Sequence, residues 1–359
     1  ERAVNVSGVG AVFARGRGVG RLEEALREGW VAPSRKALPA APGGTIPVYA
    51  VEEKAIADRA ILKRMRRADR FTRMAVLAAW DAVKDSGIEI DGEGASLGII
   101  LATAFGPQVT AFRFLDDIID HGDASVSPTL FSHSVHNAAA SYVATALDNH
   151  GPTLTVTQFG LSFHQALILA RAWLHEGRCE NVLVGCAEEC GTVMEFICSE
   201  KLEIAEDGRI RPFDFSSSPR AVPGEGSVFL LLSREEGPRK YCELRGVIVG
   251  DGALEGEPDL RILDADGMSN DETGYREIAG RSALIGGYSP LFGSMLTGSA
   301  FHCAAAEMML KNQTLYACPV QDDPHGLRPC ASTEGRSLET IQCVRYDCLG
   351  RRAVIELGR

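Results

Sequence analysis

The sequence predicts an α/β protein in which helices are layered against a largely buried sheet, and three observations predict it. Short apolar runs alternate with longer amphipathic segments from one end of the chain to the other. The strongest runs, at residues 97–103, 182–185 and 227–232, carry no charge, as strands covered on both faces do. No Pro-, Gly- or Ser-rich linker interrupts the pattern, so the chain reads as two similar α/β halves, 1–226 and 227–359, packed as one body.

In the first half, residues 4–13 (Val-Asn-Val-Ser-Gly-Val-Gly-Ala-Val-Phe) predict a strand and residues 21–29 a helix. Residues 69–86 predict a long amphipathic helix closed by Gly87, because Phe71, Met74, Ala75, Ala78 and Ala82 follow the 3.6-residue period. Residues 97–103 and 154–157 predict further buried strands, followed by a helix at 162–176 and a strand at 182–185. In the second half, strands are expected at 227–232, 244–250 and 353–357, and a helix at 300–310.

Composition narrows the function. The 359 residues are 45% hydrophobic and 24% charged, enough to bury a sizeable core. A net charge of −11 argues against a nucleic-acid binder, and no apolar run reaches the ~18 residues of a membrane helix. Ten cysteines are present, but there is no C-x-x-C pair and only Cys186 and Cys190 lie close together. Most sit in apolar stretches, so reduced buried thiols, no metal and a cytoplasmic setting are expected.

Several familiar chemistries fail on spacing. Gly8 and Gly10 follow a strand, but Phe13 stands where a dinucleotide fingerprint needs its third glycine, and Gly16, Gly18 and Gly20 are mis-spaced; no cofactor is expected. Gly160-Leu161-Ser162-Phe163-His164 lacks the closing glycine of a nucleophile elbow. Lys63, Arg64, Arg66 and Arg67, with Arg70 and Arg73, form the densest basic cluster. Such a run is either a solvated helix face or a landing patch for an acidic partner.

Four segments in order and spacing carry a resemblance: residues 4–22; Arg67-Ala68-Asp69-Arg70-Phe71-Thr72; Phe131 through Asn137 with three alanines; and Arg211-Pro212-Phe213-Asp214 followed by Pro223-Gly224-Glu225-Gly226. Together they resemble the β-ketoacyl synthases across nearly the whole chain. The resemblance implies a thiolase-type layered αβαβα fold with two similar halves, and a dimer. The chemistry of that family needs a cysteine thiolate at a helix start to take the acyl chain. It also needs two histidines that assist decarboxylation and stabilise the enolate.

Each such position is occupied by something else. Counting back along the segment 165–185, which resembles the nucleophile helix, the cysteine position falls on Gly160, or after a two-residue slip on Gln158. The first histidine becomes Asp266, in Asp264-Ala265-Asp266-Gly267-Met268-Ser269. The second becomes Ser294, its companion lysine Ser289, and the phenylalanine gate Cys348 in Asp347-Cys348-Leu349-Gly350. Acid/base and oxyanion groups are each worth ~10²–10⁴-fold in rate, so the chain by itself is expected not to be a ketosynthase.

A member without its nucleophile resembles the chain-length factor, or ketosynthase β, of type II polyketide synthases. That resemblance implies a heterodimer with an active ketosynthase α, an acyl carrier protein as second partner, and a share in the acyl tunnel. Most such subunits carry glutamine at the cysteine position, where this chain has Gly160. The segment after Phe105-Gly106-Pro107 would line the tunnel, and helical spacing nominates Val109, Phe112 and Leu115, which read equally well as core. Lys63, Arg64, Arg66 and Arg67 would receive the carrier protein, while His133 and His136 read as structural. Two alternatives stay open: an acyl-binding or scaffolding homodimer, and an acyltransferase or hydrolase with relocated chemistry at Ser162, Cys186 or Asp266.

Overall fold

The computed structural model describes residues 3–38, 43–89, 97–216, 218, 220–252, 256–269 and 272–359, except the side chains of Arg64, Glu272, Thr273 and Glu334. At its centre the strand Val4–Phe13 pairs antiparallel with two neighbours, Gly226–Ser233 on one side and Cys242–Val249 on the other. Outward from Gly226–Ser233 come Asn181–Glu188, Leu97–Ala102 and Thr153–Val156, the last two joined in parallel. Outward from Cys242–Val249 come Arg352–Gly358, Thr340–Tyr346, Leu260–Leu263 and Ile285–Gly286, again ending in parallel pairs. Numbered by chain order within each wing, both run first, fifth, fourth, second, third, and the two first strands join them back to back. This repeated order breaks between Ser233 and Cys242, so a boundary at 226/227 would cut the fifth strand from the wing that it completes.

Two helices lie between the wings. The helix Ser162–His175 packs against Leu97–Ala102 and Asn181–Glu188 of one wing and Cys242–Val249 and Arg352–Gly358 of the other. Beside it, Ser299–Asn312 is buried from Ser299 through Leu310, which its alanine run permits. On the outer face, Arg70–Ser86 packs on the central strands and on the helix Ala138–Ala146. An outer helix layer, one wing of the sheet, the buried helices and the second wing follow the layering of the thiolase-type fold.

Local chemistry sets these elements. The Asp69 carboxylate caps Arg70–Ser86 by accepting from Thr72 N at 2.8 Å, and Gly87 ends the helix with φ 69°, as a left-handed C-cap glycine does. A Cβ on Gly8 would lie 2.2 Å from the Ala82 carbonyl oxygen, and one on Gly10 2.0 Å from that of Ala78. The glycines that imitate a dinucleotide fingerprint are therefore there to let this helix sit on the sheet.

Two sequence expectations need correction. Residues 154–157 do form a strand, Thr153–Val156, but it closes the sheet as an edge with Thr153 and Leu154 exposed. The basic run 63–67 is not a helix face: Leu62–Arg64 is a 3₁₀ turn, and the helix begins at Arg70.

Candidate functional site

Gly160 and Asp266 belong to different wings, yet both reach one fully buried side chain, Arg345 of the strand Thr340–Tyr346. Gly160 sits in a 3₁₀ turn, Phe159–Leu161, at the start of the helix Ser162–His175. Built onto it, a Cβ would lie 3.4 Å from Arg345 Nε and 3.3 Å from Asp347 Cβ. Arg345 Nη1 donates to Asp264 Oδ2 at 2.7 Å and stands 3.7 Å from Asp266 Oδ2. Ser299 Oγ donates to the same Asp264 oxygen at 2.6 Å, and His302 Nδ1 lies 3.2 Å from Asp264 Oδ1. A guanidinium held by two carboxylates thus stands where the resemblance puts an acyl-accepting cysteine and a histidine.

The charges in this cluster are uneven. Burial alone would raise the Asp264 pKa, but the Arg345 charge, His302 and the Ser299 hydroxyl hold it below its ordinary value. Burial and the Asp264 charge push Asp266 up to about 7, against the pull of Arg345 and the Met268 and Met295 amides. Burial pushes His164 down to about 3, with Arg345 adding to it, so this imidazole is neutral. Glu188, which accepts from Ala104 N at 2.7 Å and Thr297 Oγ1 at 3.1 Å, is raised to about 7 by burial.

A cavity of about 460 Å³ opens beside this cluster, lined among others by Arg211, Asp214, Arg220, Asp266, Ser269 and Tyr275. Asp266 is the residue shared by the cavity wall and the Arg345 cluster.

The remaining candidates fall as follows. Gln158 is half-buried, and its backbone N donates to Ser162 Oγ at 2.7 Å. Ser294 is buried, accepting from Val222 N at 3.0 Å and donating to the Asp266 carbonyl. Ser289 Oγ reaches the Ala265 carbonyl at 3.5 Å. Cys348 is exposed at the tip of the hairpin between the last two strands, so the loop residue that faces Gly160 is Asp347. Likewise Gly298, whose added Cβ would lie 3.4 Å from Asp264 Oδ1 and 3.7 Å from Asp266 Oδ2, faces the cluster more directly than Ser294.

Relocated nucleophiles fare poorly. Ser162 Oγ shares its one proton between Thr103 O and Phe159 O while accepting from Gln158 N, so it is held as a structural group. Burial pushes the Cys186 thiol up to about 12, away from the reactive thiolate.

On the helix Gln108–His121, Val109 packs on Gly191, Phe112 is half-buried and Leu115 is 48% exposed, which removes Leu115 from the core. Lys63, Arg66 and Arg67 are exposed, whereas the Arg64 side chain lies outside the described residues. Arg70 and Arg73 instead bind Glu53, and Arg70 also binds the buried Glu225 at 2.6 Å. His133 pairs with the Tyr142 hydroxyl at 2.6 Å and His136 packs on Gly106, both structural contacts. Among the described residues, no helix is long and apolar enough to cross a membrane, and no group of three acidic, His or Cys side chains could hold a metal.

The layered fold is that of a ketosynthase. Residues 1–237 match the model of the beta-ketoacyl synthase N-terminal domain, and the chain belongs to that family. Among curated relatives, it is 28% identical over 257 residues to 3-oxoacyl-(acyl-carrier-protein) synthase 2 of Staphylococcus aureus, covering 64% of this chain and 61% of that protein. It is 25% identical over 201 residues to an oxytetracycline polyketide beta-ketoacyl synthase 1 of Streptomyces rimosus, covering 51% of this chain and 47% of that one. The aligned part thus spans about half to three-fifths of these relatives. Of solved structures, the ishigamide ketosynthase/chain length factor superposes with a TM-score of 0.83 at 18% identity, covering 99% of both chains. A beta-ketoacyl synthase from Burkholderia phymatum gives 0.77 at 18% identity, covering 100% of both. These likenesses concern the fold.

Proposed function

We propose that this chain is a non-catalytic chain-length-factor subunit that pairs with an active ketosynthase in a type II polyketide synthase and shapes the tunnel for the growing acyl chain. The observation that carries it is Gly160 facing Arg345. A residue without a side chain stands where the resemblance puts the nucleophile, and the space before it holds a guanidinium bound to Asp264 with Asp266 at 3.7 Å. Glycine cannot accept an acyl group, and a guanidinium engaged by a buried carboxylate is not placed to assist decarboxylation and stabilise an enolate as the two histidines would.

The pairing face has support of its own. The edge strand Thr153–Val156 leaves one row of backbone groups uncovered, and its own Leu154 is 38% exposed. Phe159, 59% exposed, meets Phe105 edge-on at 5.9 Å, and Leu115, Ile119, Phe131 and Val135 are further exposed apolar side chains. Exposed aromatic and aliphatic side chains beside an open edge suit a strand-to-strand interface with a partner of the same fold. Across it, Val109, Phe112 and Leu115 would contribute to the tunnel wall, and Lys63, Arg64, Arg66 and Arg67 would receive the acidic carrier protein.

Intact-mass measurement on the isolated chain after incubation with an acyl-CoA or acylated carrier protein is expected to show no adduct and no loss of thioester. A covalent acyl adduct, or thioester hydrolysis abolished by Asp266→Asn, would establish relocated chemistry instead. Co-expression with an active ketosynthase should yield a heterodimer by sizing. A homodimer that ignores the ketosynthase would favour a scaffolding role. In the heterodimer, Phe112→Ala should lengthen the product if the side chain fills tunnel volume, since overpacking a filled volume costs ~1–3 kcal/mol.

A further inference from the structure

Cys318 and Cys330 bracket the loop 319–329, which has prolines at 319, 324 and 329. Cys318 N donates to the Cys330 carbonyl at 3.2 Å, and Cys330 N donates to the Ile285 carbonyl at 2.8 Å, so the two backbones are held side by side. Their sulfurs stand 3.5 Å apart. The Tyr288 hydroxyl lies 3.2 Å from Cys330 Sγ and donates to the Tyr316 carbonyl at 2.6 Å, which fixes it beside that sulfur.

We propose that Cys318 and Cys330 are a redox-responsive modification site, a dithiol that closes to a disulfide under a hydroperoxide and clamps the loop between them. The hydrogen bond from the Cys318 thiol, with the Tyr288 hydroxyl close beside, holds the Cys330 thiol below its ordinary range, while the Cys318 thiol is pushed up. Cys318 also lines a surface cleft of about 420 Å³ beside Trp30, Arg209 and Asp322, which brings a small oxidant to the pair. In the first step the Cys330 thiolate attacks a peroxide oxygen, the O–O bond breaks, and a sulfenic acid and hydroxide form. The Cys318 sulfur then attacks that sulfur, the S–O bond breaks, and a second hydroxide leaves. The two thiol protons convert both hydroxides to water, so two thiols and one hydrogen peroxide give one disulfide and two waters.

The loop that such a bond would clamp rests on the cavity wall. His325 Nε2 contacts the Asp214 carbonyl at 2.9 Å, the His325 ring stacks on Phe215 at 5.7 Å, and Asp322 lies 4.0 Å from Arg211. Arg211, Asp214 and Phe215 all line the 460 Å³ cavity. Oxidation therefore stiffens a segment that buttresses the cavity next to Asp266.

The test is peptide mapping without reductant on the full reduced chain, before and after hydrogen peroxide, with free thiols alkylated. The expected result is a linked pair of peptides carrying Cys318 and Cys330, a mass loss of two hydrogens reversed by dithiothreitol, and amide exchange across 319–329 slowed by about tenfold. Cys318→Ser and Cys330→Ser should each abolish the link. If either variant fails to fold, the wild-type map still decides. Oxidation confined to the exposed Cys348, or both thiols remaining free to alkylation, would overturn the proposal. No partner subunit is needed, so the result is independent of the pairing reading.

Discussion

Arg345 is fully buried and bound to Asp264, with Asp266 close by, so its removal leaves carboxylates without a counter-charge in a medium that solvates them poorly. Arg345→Met is expected to destabilise the fold by about 3–5 kcal/mol, read by denaturant unfolding. The double variant Arg345→Met with Asp264→Asn should recover part of that loss, whereas additive losses would show that the two do not act as a pair. Asp266 supplies a second measurement. Its pKa is raised from an ordinary 3.8 to about 7 by burial, so between those values the folded chain holds more protons than the unfolded one. The stability it contributes is present below about pH 4, falls as pH rises and is gone above about pH 7. Glu188 slopes the same way, and His164, lowered to about 3, slopes oppositely below its ordinary value, but Asp266→Asn keeps both. The stability of Asp266→Asn relative to wild type should therefore climb between about pH 4 and 7 and be flat above; a flat difference throughout would mean that Asp266 is charged in the fold.

At the scale of elements, the edge strand Thr153–Val156 and the buried strand Thr340–Tyr346 mark where the sequence could and could not be read. Charge-free runs such as Gly226–Ser233 and the capped helix Arg70–Ser86 were legible because a single pattern, apolar continuity or a 3.6 period, decides each. Thr340–Tyr346 was not: Gln342 and Arg345 interrupt its apolar run, and their burial depends on partners supplied by distant segments, Arg261 and Glu356 for one and Asp264 for the other. A trace of the cluster was nonetheless present, since Asp264 and Asp266, two apart in an extended segment, share a face that demands a cation. The exposure of Leu154 was invisible for a different reason, because an edge strand can carry the same apolar residues as one inside a core. Leu154→Lys tests that assignment. Folding stability should change by less than about 0.5 kcal/mol, as at other open surface sites, while association with a partner ketosynthase weakens by at least about tenfold in sizing or calorimetry. A variant that unfolds, or that pairs undiminished, would remove this edge from the interface.

For the molecule as a whole, the two wings bring Gly160, Asp266 and Arg345 together from three parts of the chain, and only the residue types at Gly160 and Asp266 were legible locally in the sequence. Charge is distributed as unevenly as structure. The chain carries −11 overall, yet Lys63, Arg66 and Arg67 form an exposed basic segment, with the Arg67 guanidinium 3.5 Å from the Thr129 hydroxyl. Arg70 and Arg73, next in line, are already bound to Glu53 and add little positive field to it. Against a negative whole, a local basic patch orients an acidic partner during approach more than it tightens the final complex. Reversing Lys63, Arg66 and Arg67 to glutamate in the heterodimer should therefore slow association of the carrier protein by about tenfold or more at low salt. Its dissociation rate should change far less, and the difference from wild type should shrink as salt rises past ~0.15 M, where the Debye length falls to ~8 Å. Stopped-flow measurement at two ionic strengths reads both effects; an unchanged association rate would move carrier docking to another face, and a change confined to dissociation would mean that these side chains form contacts in the final complex instead of steering the encounter.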